Sequence, residues 1–137
     1  MGRRRDGREA AAQFLYSRDF NREPCAEDLD AFWSLRAARP GVIAFANEII
    51  AGVLSRLGTI DAHLEDASDN FQLDRFAAID RNILRVAVYE LLFQPDVPRP
   101  VVIDEAIEIA KRFGTLDSPA FVNGVLDRVN RSIQSEP

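Results

Sequence analysis

Apolar residues recur along this chain at intervals of three and four, and nowhere alternate for long enough to suggest a strand. The clearest stretch runs from Ala78 to Val129. Ile79, Ile83, Val86, Ala87 and Leu91 form one stripe, widened by Leu84, Val88 and Leu92. An apolar face that broad predicts a helix packed on more than one side. Gln94-Pro95 ends it, and Asp96-Val97-Pro98-Arg99-Pro100 reads as a stiff linker. Pro100 is placed to open the next helix, in which Ile103, Ala106, Ile107, Ala110 and Phe113 face inward and Asp104, Glu105 and Glu108 face water. Acids early and Lys111 and Arg112 late suit the helix dipole, and Gly114 is the expected cap. Ser118-Pro119 then predicts an N-cap and first position for a last helix carrying Phe121, Val122, Val125, Leu126 and Val129.

Upstream, Ala11, Ala12, Phe14 and Leu15 make an inward stripe on a first helix expected from about Arg8. Residues 1–7 are expected to be basic and flexible. If the helix reaches back to Arg4, Arg4 and Arg8 stand one turn apart, although Gly7 weakens such an extension by about 1 kcal/mol. Asn21 to Glu27 is a turn around Pro24. A short helix follows from Glu27 to Arg36, and Arg39-Pro40-Gly41 breaks the chain again. One long helix is expected from Val42 to Asp66, with Gly52 and Gly58 as tolerated interior glycines or points of close approach. Phe71 to Phe76 is a short bridge. Six or seven helices and no strands predict an all-α bundle of two packed halves, a single domain over residues 1–137.

Charge alters this picture in one place. The chain of 137 residues carries a net charge of −5, but residues 1–8 hold four arginines against one aspartate, a local +3 on a body of −8. A basic end on an acidic body points either to a localised anion-binding patch or to a solvated terminus. No apolar run reaches the roughly 18 residues that span a bilayer, and no apolar segment follows the N-terminal arginines as in a secretory signal. The single cysteine, Cys25, excludes an internal disulfide and fits a reducing cytoplasm. The single histidine, His63, has no partner for metal binding or a catalytic triad. No phosphate loop, nucleotide fingerprint or zinc spacing is present, so no cofactor or metal and no catalysis of the chain's own are expected.

Several segments together resemble the NusB family of bacterial transcription antitermination factors. They are Arg4-Arg5 and Arg8-Glu9 followed by Ala12-Gln13-Phe14-Leu15-Tyr16; Ile83 to Leu91; Asp96-Val97-Pro98; Ile103 to Gly114; Asp117-Ser118; and Phe121 to Asp127. The run from Val101 to Asp127 is the most specific, and Pro24 to Asn70 carries little. The resemblance implies binding of boxA-type RNA together with the ribosomal protein NusE in the transcription elongation complex. It implies RNA contacts from Arg4, Arg5 and Arg8 on the first helix, from Asp117 and Phe121 around the start of the last helix, and from a mid-chain aromatic, here Phe71. Such contacts make chemical sense, since single-stranded RNA is held by arginines and by aromatic stacking. Asp80, at the start of the central helix, is implied to face NusE, with Asp74 a further candidate. Asp6 and Gly7 depart from the family's arginine-alanine run and are expected to loosen the helix start. Two other readings stay open: a helical protein–protein adaptor, possibly self-associating, that does not touch RNA, and the accessory domain of an rRNA cytosine methyltransferase, which would need a methyl-donor domain not expected beyond Pro137. The sequence also leaves open a homodimer of the free protein.

Overall fold

The computed structural model describes residues 2–21, 23–68 and 72–135, so Phe71 lies outside the described residues. Within them the chain forms seven α-helices and a 3-10 turn, with no strand: α1 (Arg3–Asp19), α2 (Asp28–Ser34), α3 (Pro40–Ser55), α4 (Leu57–Ala67), the turn Leu73–Arg75, α5 (Ala78–Phe93), α6 (Arg99–Phe113) and α7 (Ser118–Ser135).

The breadth of the apolar face on α5 has its expected consequence. Every residue from Asn82 to Leu91 is buried, and α5 packs against α1, α3, α4, α6 and α7. Ile79 and Leu92, at its ends, are half-buried. Within this run Asn82, Arg85 and Glu90 go inside with it, and each of the three finds partners, as most buried polar groups do. Asn82 donates to the Ala78 carbonyl at 2.8 Å, Arg85 binds carboxylates of two other helices, and Glu90 accepts from α1.

The long helix expected from Val42 to Asp66 is instead two helices bent by 77° at Arg56 (φ −123°, ψ 20°). A straight rod of that length, about 40 Å at 1.5 Å per residue, would carry its second half past the core. The bend lets Val42, Ala46, Ile49, Ile50 and Val53 of α3 pack toward α1 and α5, while Ile60 and Leu64 of α4 pack toward α5 and α7. Arg56 sits over the Phe93 ring at 4.5 Å, a cation–π contact at the elbow. Gly52 is a point of close approach: a Cβ there would lie 2.2 Å from the Tyr89 ring. Gly58 faces open space. No single helix among the described residues is long and apolar enough to cross a membrane; the α3–α4 pair matches by length and composition only.

The N-terminus corrects a second expectation. The segment through residue 7, read as flexible, is helical from Arg3. Gly7 does not loosen this start; it lets α1 seat against α3, because a Cβ at Gly7 would lie 2.5 Å from Cδ2 of Phe45. α2 is shorter than expected and buries none of its residues. It is held by Phe32, edge-to-face on Phe14 at 5.5 Å, and by the Trp33 indole N–H, which donates to Asn47 at 2.8 Å.

The α6–α7 corner follows the sequence punctuation with two changes. Gly114 closes α6 by donating to the Ala110 carbonyl, but with φ −92° it is extended rather than left-handed. Its glycine is required by space, since a Cβ would lie 2.4 Å from Oγ of Ser118. Ser118 is already helical, and its buried hydroxyl turns back to accept the Thr115 N–H at 2.9 Å, while the Asp117 carbonyl accepts the Phe121 N–H at 3.1 Å. On α6, Val102, Ala106, Ile109 and Ala110 form the buried face, and Ile103, Ile107 and Phe113 lie half-buried along its edges.

Candidate nucleic-acid interface

The three arginines expected at RNA have three different environments. Arg4 is exposed and has no acidic partner among the described residues; its guanidinium lies over the Phe45 ring at 5.4 Å. Arg5 is committed to Glu105 of α6, with Nη2 at 2.6 Å and Nε at 3.1 Å from its oxygens. The hydrogen bond from Arg5 outweighs partial burial and, with the charges of Arg5 and Arg8, holds the Glu105 carboxyl below its ordinary range. Glu105 therefore leaves the wet face assigned to it by sequence.

Arg8 is not an RNA-facing residue in this structure. It is 3% exposed, and it donates through Nε and Nη2 to the two oxygens of Glu90, at 2.6 and 2.8 Å, with Glu90 also 3% exposed. The helical repeat explains this: positions 8, 11, 12 and 15 share one face of α1, and that face is the one buried on α5 and α6. A two-pronged charged hydrogen bond is the form in which an arginine and a carboxylate tolerate such burial. Arg112 of α6 reaches Glu9 at 3.1 Å, so the N-terminal part of α1 is clamped to α6 at two points one turn apart on α1.

Around the start of α7, Asp117 is exposed on the corner. Phe121 is half-buried and stands edge-to-face on Phe76, with ring centroids 5.1 Å apart and planes at 84°. One side of its ring is thus already occupied by Phe76, which the sequence marks only as the end of a bridge. The Phe-Ala-Ala step just before α5 was the available signal.

The residues expected to face a protein partner also separate. Asp74 is exposed on the 3-10 turn. Asp80 is 7% exposed, and its buried Oδ1 has no hydrogen-bond partner among the described residues, so it offers no surface to a partner here. Its place in the first turn of α5 puts it at the positive end of the helix dipole, which favours a carboxylate.

The neighbourhood of Asp74 holds residues not singled out from the sequence. Asp19 accepts from Arg81 at 2.8 Å, from Asn82 at 2.8 Å and from Arg85 at 3.2 Å, and Arg85 binds Asp61 through a second pair of contacts at 2.9 Å. This network ties the end of α1 to α4 and α5 and borders a concavity of about 530 Å³ shared with Glu65, Gln72, Leu73 and Asp74. Beside it in sequence, Tyr16 and Phe20 stack edge-to-face at 5.1 Å and are 39% and 65% exposed. An exposed aromatic pair one turn apart on a helix is a feature of protein interfaces.

Burial alone would raise the Asp19 carboxyl, but hydrogen bonds from Asn82 and Arg81 and the charges of Arg85 and Arg81 prevail, and its pKa lies below the ordinary value. A depressed carboxyl pKa stabilises the fold above the unfolded pKa, near 3.9, and that contribution is lost as pH falls through the lower folded value. Asp19→Asn should therefore lower thermal stability at neutral pH, and the gap to the parent should close as pH falls below about 4. A gap independent of pH would assign the loss to packing instead.

No group of three or more His, Cys, Asp or Glu residues that could hold a metal comes together among the described residues. Cys25 is exposed and donates its S–H to Asp28 at 3.2 Å; that hydrogen bond pushes the thiol pKa up and disfavours a reactive thiolate.

Comparison with known proteins fits this arrangement. The model of the NusB family matches residues 5–131. Transcription antitermination protein NusB of Geobacter sulfurreducens is 48% identical over 132 residues, covering 94% of each chain, and that of Myxococcus xanthus is 46% identical over 133 residues, covering 94% of this chain and 95% of its own. Among solved structures, T. maritima NusB superposes with a TM-score of 0.84 at 38% identity, covering 96% of this chain and 92% of that one. A chain from a crystal structure of NusB and NusE in complex with double-stranded RNA has a TM-score of 0.86 at 23% identity, a likeness of fold. With the family model spanning nearly all of the helical bundle, and relatives this similar over nearly full length, the chain belongs to the NusB family.

Proposed function

We propose that this chain is an RNA-binding transcription antitermination factor that takes up boxA-type RNA together with NusE in the transcription elongation complex. The observation that carries this reading is the 48% identity, over 94% of both chains, to a protein named for transcription antitermination. The complex of NusB, NusE and RNA among the fold neighbours supports the choice of partners. In this reading the protein works in the cytoplasm and performs no catalysis; its role is to hold RNA and protein in fixed relation.

Arg4 is the residue of that arginine group best suited to phosphate, being exposed and without an acidic partner among the described residues. Asp117 can accept hydrogen bonds from base amino groups, and Phe121 and Phe71 are the candidate stacking surfaces. The face for NusE is assigned to the exposed pair Tyr16 and Phe20 and to Asp74, which shares a concavity with Asp19.

Titration of a boxA-type RNA with and without NusE tests the reading. Arg4→Gln should weaken binding and reduce the log–log salt slope by about 0.7, the contribution of one phosphate contact on a single strand. An unchanged affinity and slope would remove Arg4 from the interface. Absence of RNA binding in both titrations, with NusE still bound, would leave the protein adaptor in its place.

A further inference from the structure

Two sets of arginines stand in contrast. Arg5, Arg8, Arg81, Arg85, Arg112 and Arg131 each lie within ion-pair distance of an acid. Arg3, Arg36 and Arg39 do not, among the described residues, and they converge on one concave pocket of about 350 Å³. Arg3 comes from the first turn of α1, and Arg36 and Arg39 from the segment joining α2 to α3. The walls are completed by Ala37, Ala38 and Val42, and the only acid among the lining residues is Asp6.

Two features prepare the pocket for an anion. Arg36 is fixed by neutral groups: its Nη1 donates to the Gln13 side chain, and its guanidinium lies over the Phe32 ring at 5.8 Å. The side chain is thus held in place while its charge stays uncompensated, in contrast to Arg5 and Arg8. Arg3, meanwhile, lies along the first turn of α3: its Nη1 is 3.9 Å from where a Cβ of Gly41 would sit. The positive end of α3 adds to the field there. On a protein with a net charge of −5, three neighbouring arginines facing one acid repel each other unless an anion joins them.

The pocket also continues the proposed RNA face. Arg3 reaches α3 at residue 41, and Arg4 lies over residue 45, one helical turn further along the same helix. We propose that Arg3, Arg36 and Arg39 form a phosphate-binding pocket that holds the backbone of the RNA where it runs on beyond Arg4. This rests on the reading of the chain as an RNA-binding protein. The ligand chemistry is a phosphate oxyanion, and an arginine fork is the side chain best matched to it. Since such contacts read the backbone, the pocket adds affinity and fixes the path of the strand without adding base preference.

The test uses the full chain with NusE and three RNAs: a minimal boxA-type RNA, the same RNA with a short oligo-uridine tail at its 5′ end, and the same with the tail at its 3′ end. One tailed RNA should show a log–log salt slope steeper than the minimal RNA by about 1.4 to 2.1, corresponding to two or three added phosphate contacts. The double variant Arg36→Gln/Arg39→Gln should cancel that increment and leave the minimal RNA bound as before. Arg39→Gln alone, at an exposed residue whose side chain has no acidic partner among the described residues, should remove part of it without touching the packing of α2. Equal slopes for all three RNAs, with the minimal RNA bound, would overturn the pocket and leave the proposed function standing. Arginine-dependent binding of a tailed RNA without binding of the minimal one would support the pocket and overturn the boxA reading; no binding of any RNA would overturn both. Inorganic phosphate is titrated separately, following the Gly41 amide by NMR. Saturation by phosphate with no gain from either tail would make this a free-anion site and overturn the assignment to RNA.

Discussion

Arg8→Ala should lower the unfolding free energy by about 3–5 kcal/mol, the range for removing one member of a buried ion pair. The cost comes less from the lost attraction than from what remains. Glu90 is 3% exposed, and its two oxygens take the short contacts from Arg8. Without Arg8, that carboxylate must stay ionised without its partner, take up a proton, or open the helix interface to water. Urea unfolding at neutral pH measures the loss. Arg8→Met/Glu90→Met should regain most of it, because replacing both partners with apolar groups of similar volume is often neutral or stabilising. A loss under about 1 kcal/mol in the single variant, the range of an exposed pair, would mean that the pair is solvated in solution. The same reasoning bears on any test of RNA binding at the first helix. Changing Arg4, Arg5 and Arg8 together would conflate unfolding with lost contacts, so Arg4 has to be changed alone.

Phe76→Ala is the second large expected effect, about 3–5 kcal/mol for truncating a buried phenylalanine. Phe76 joins the chain ahead of α5 to the first turn of α7 through its edge-to-face contact with Phe121. Removing the ring leaves a cavity in the core and frees Phe121 from the ring it stands against. Phe76→Leu should cost less, since a branched apolar side chain fills part of the volume. Near-equal losses for the two variants would show that the ring pair, rather than the filled volume, carries the stabilisation. If Phe121 stacks on RNA, then its orientation depends on Phe76, and Phe76→Ala should weaken RNA binding even where the protein remains folded.

The helices of the second half were legible because local residues end them. Pro95, Pro98, Pro100 and Pro119 act on their own backbone, whatever packs around them. The elbow at Arg56 had no such mark. Its sequence, Val53-Leu54-Ser55-Arg56-Leu57-Gly58, continues the apolar repeat, and the bend goes with different packing partners, α1 and α5 for α3 but α5 and α7 for α4. Burial of Arg8 was hidden for a related reason. Its partner Glu90 stands 82 residues away, and an arginine beside Arg3, Arg4 and Arg5 reads as one more member of a basic run. The periodicity did hold the answer, since Arg8 shares a face with Ala11, Ala12 and Leu15. The resemblance implied a partner-facing Asp80, whereas its helical repeat places it on the same side as the buried Ile83 and Leu84. The pocket of Arg3, Arg36 and Arg39 joins residues more than thirty positions apart, which no local pattern could bring together.

The contrast between α5 and α2 sets the order in which the molecule opens. α5 is enclosed by five helices, so its amide protons should exchange with solvent only through global unfolding. α2 buries none of its seven residues, so it can detach and return while the rest of the bundle stays closed, and its amides should exchange orders of magnitude faster. The polypeptide thus consists of a slow cooperative unit and one fast local one, and Arg36 and Arg39 follow directly on the fast one. An anion that bridged them to Arg3 would bind only the closed form and slow the exchange of α2 by its own occupancy, leaving α5 unchanged.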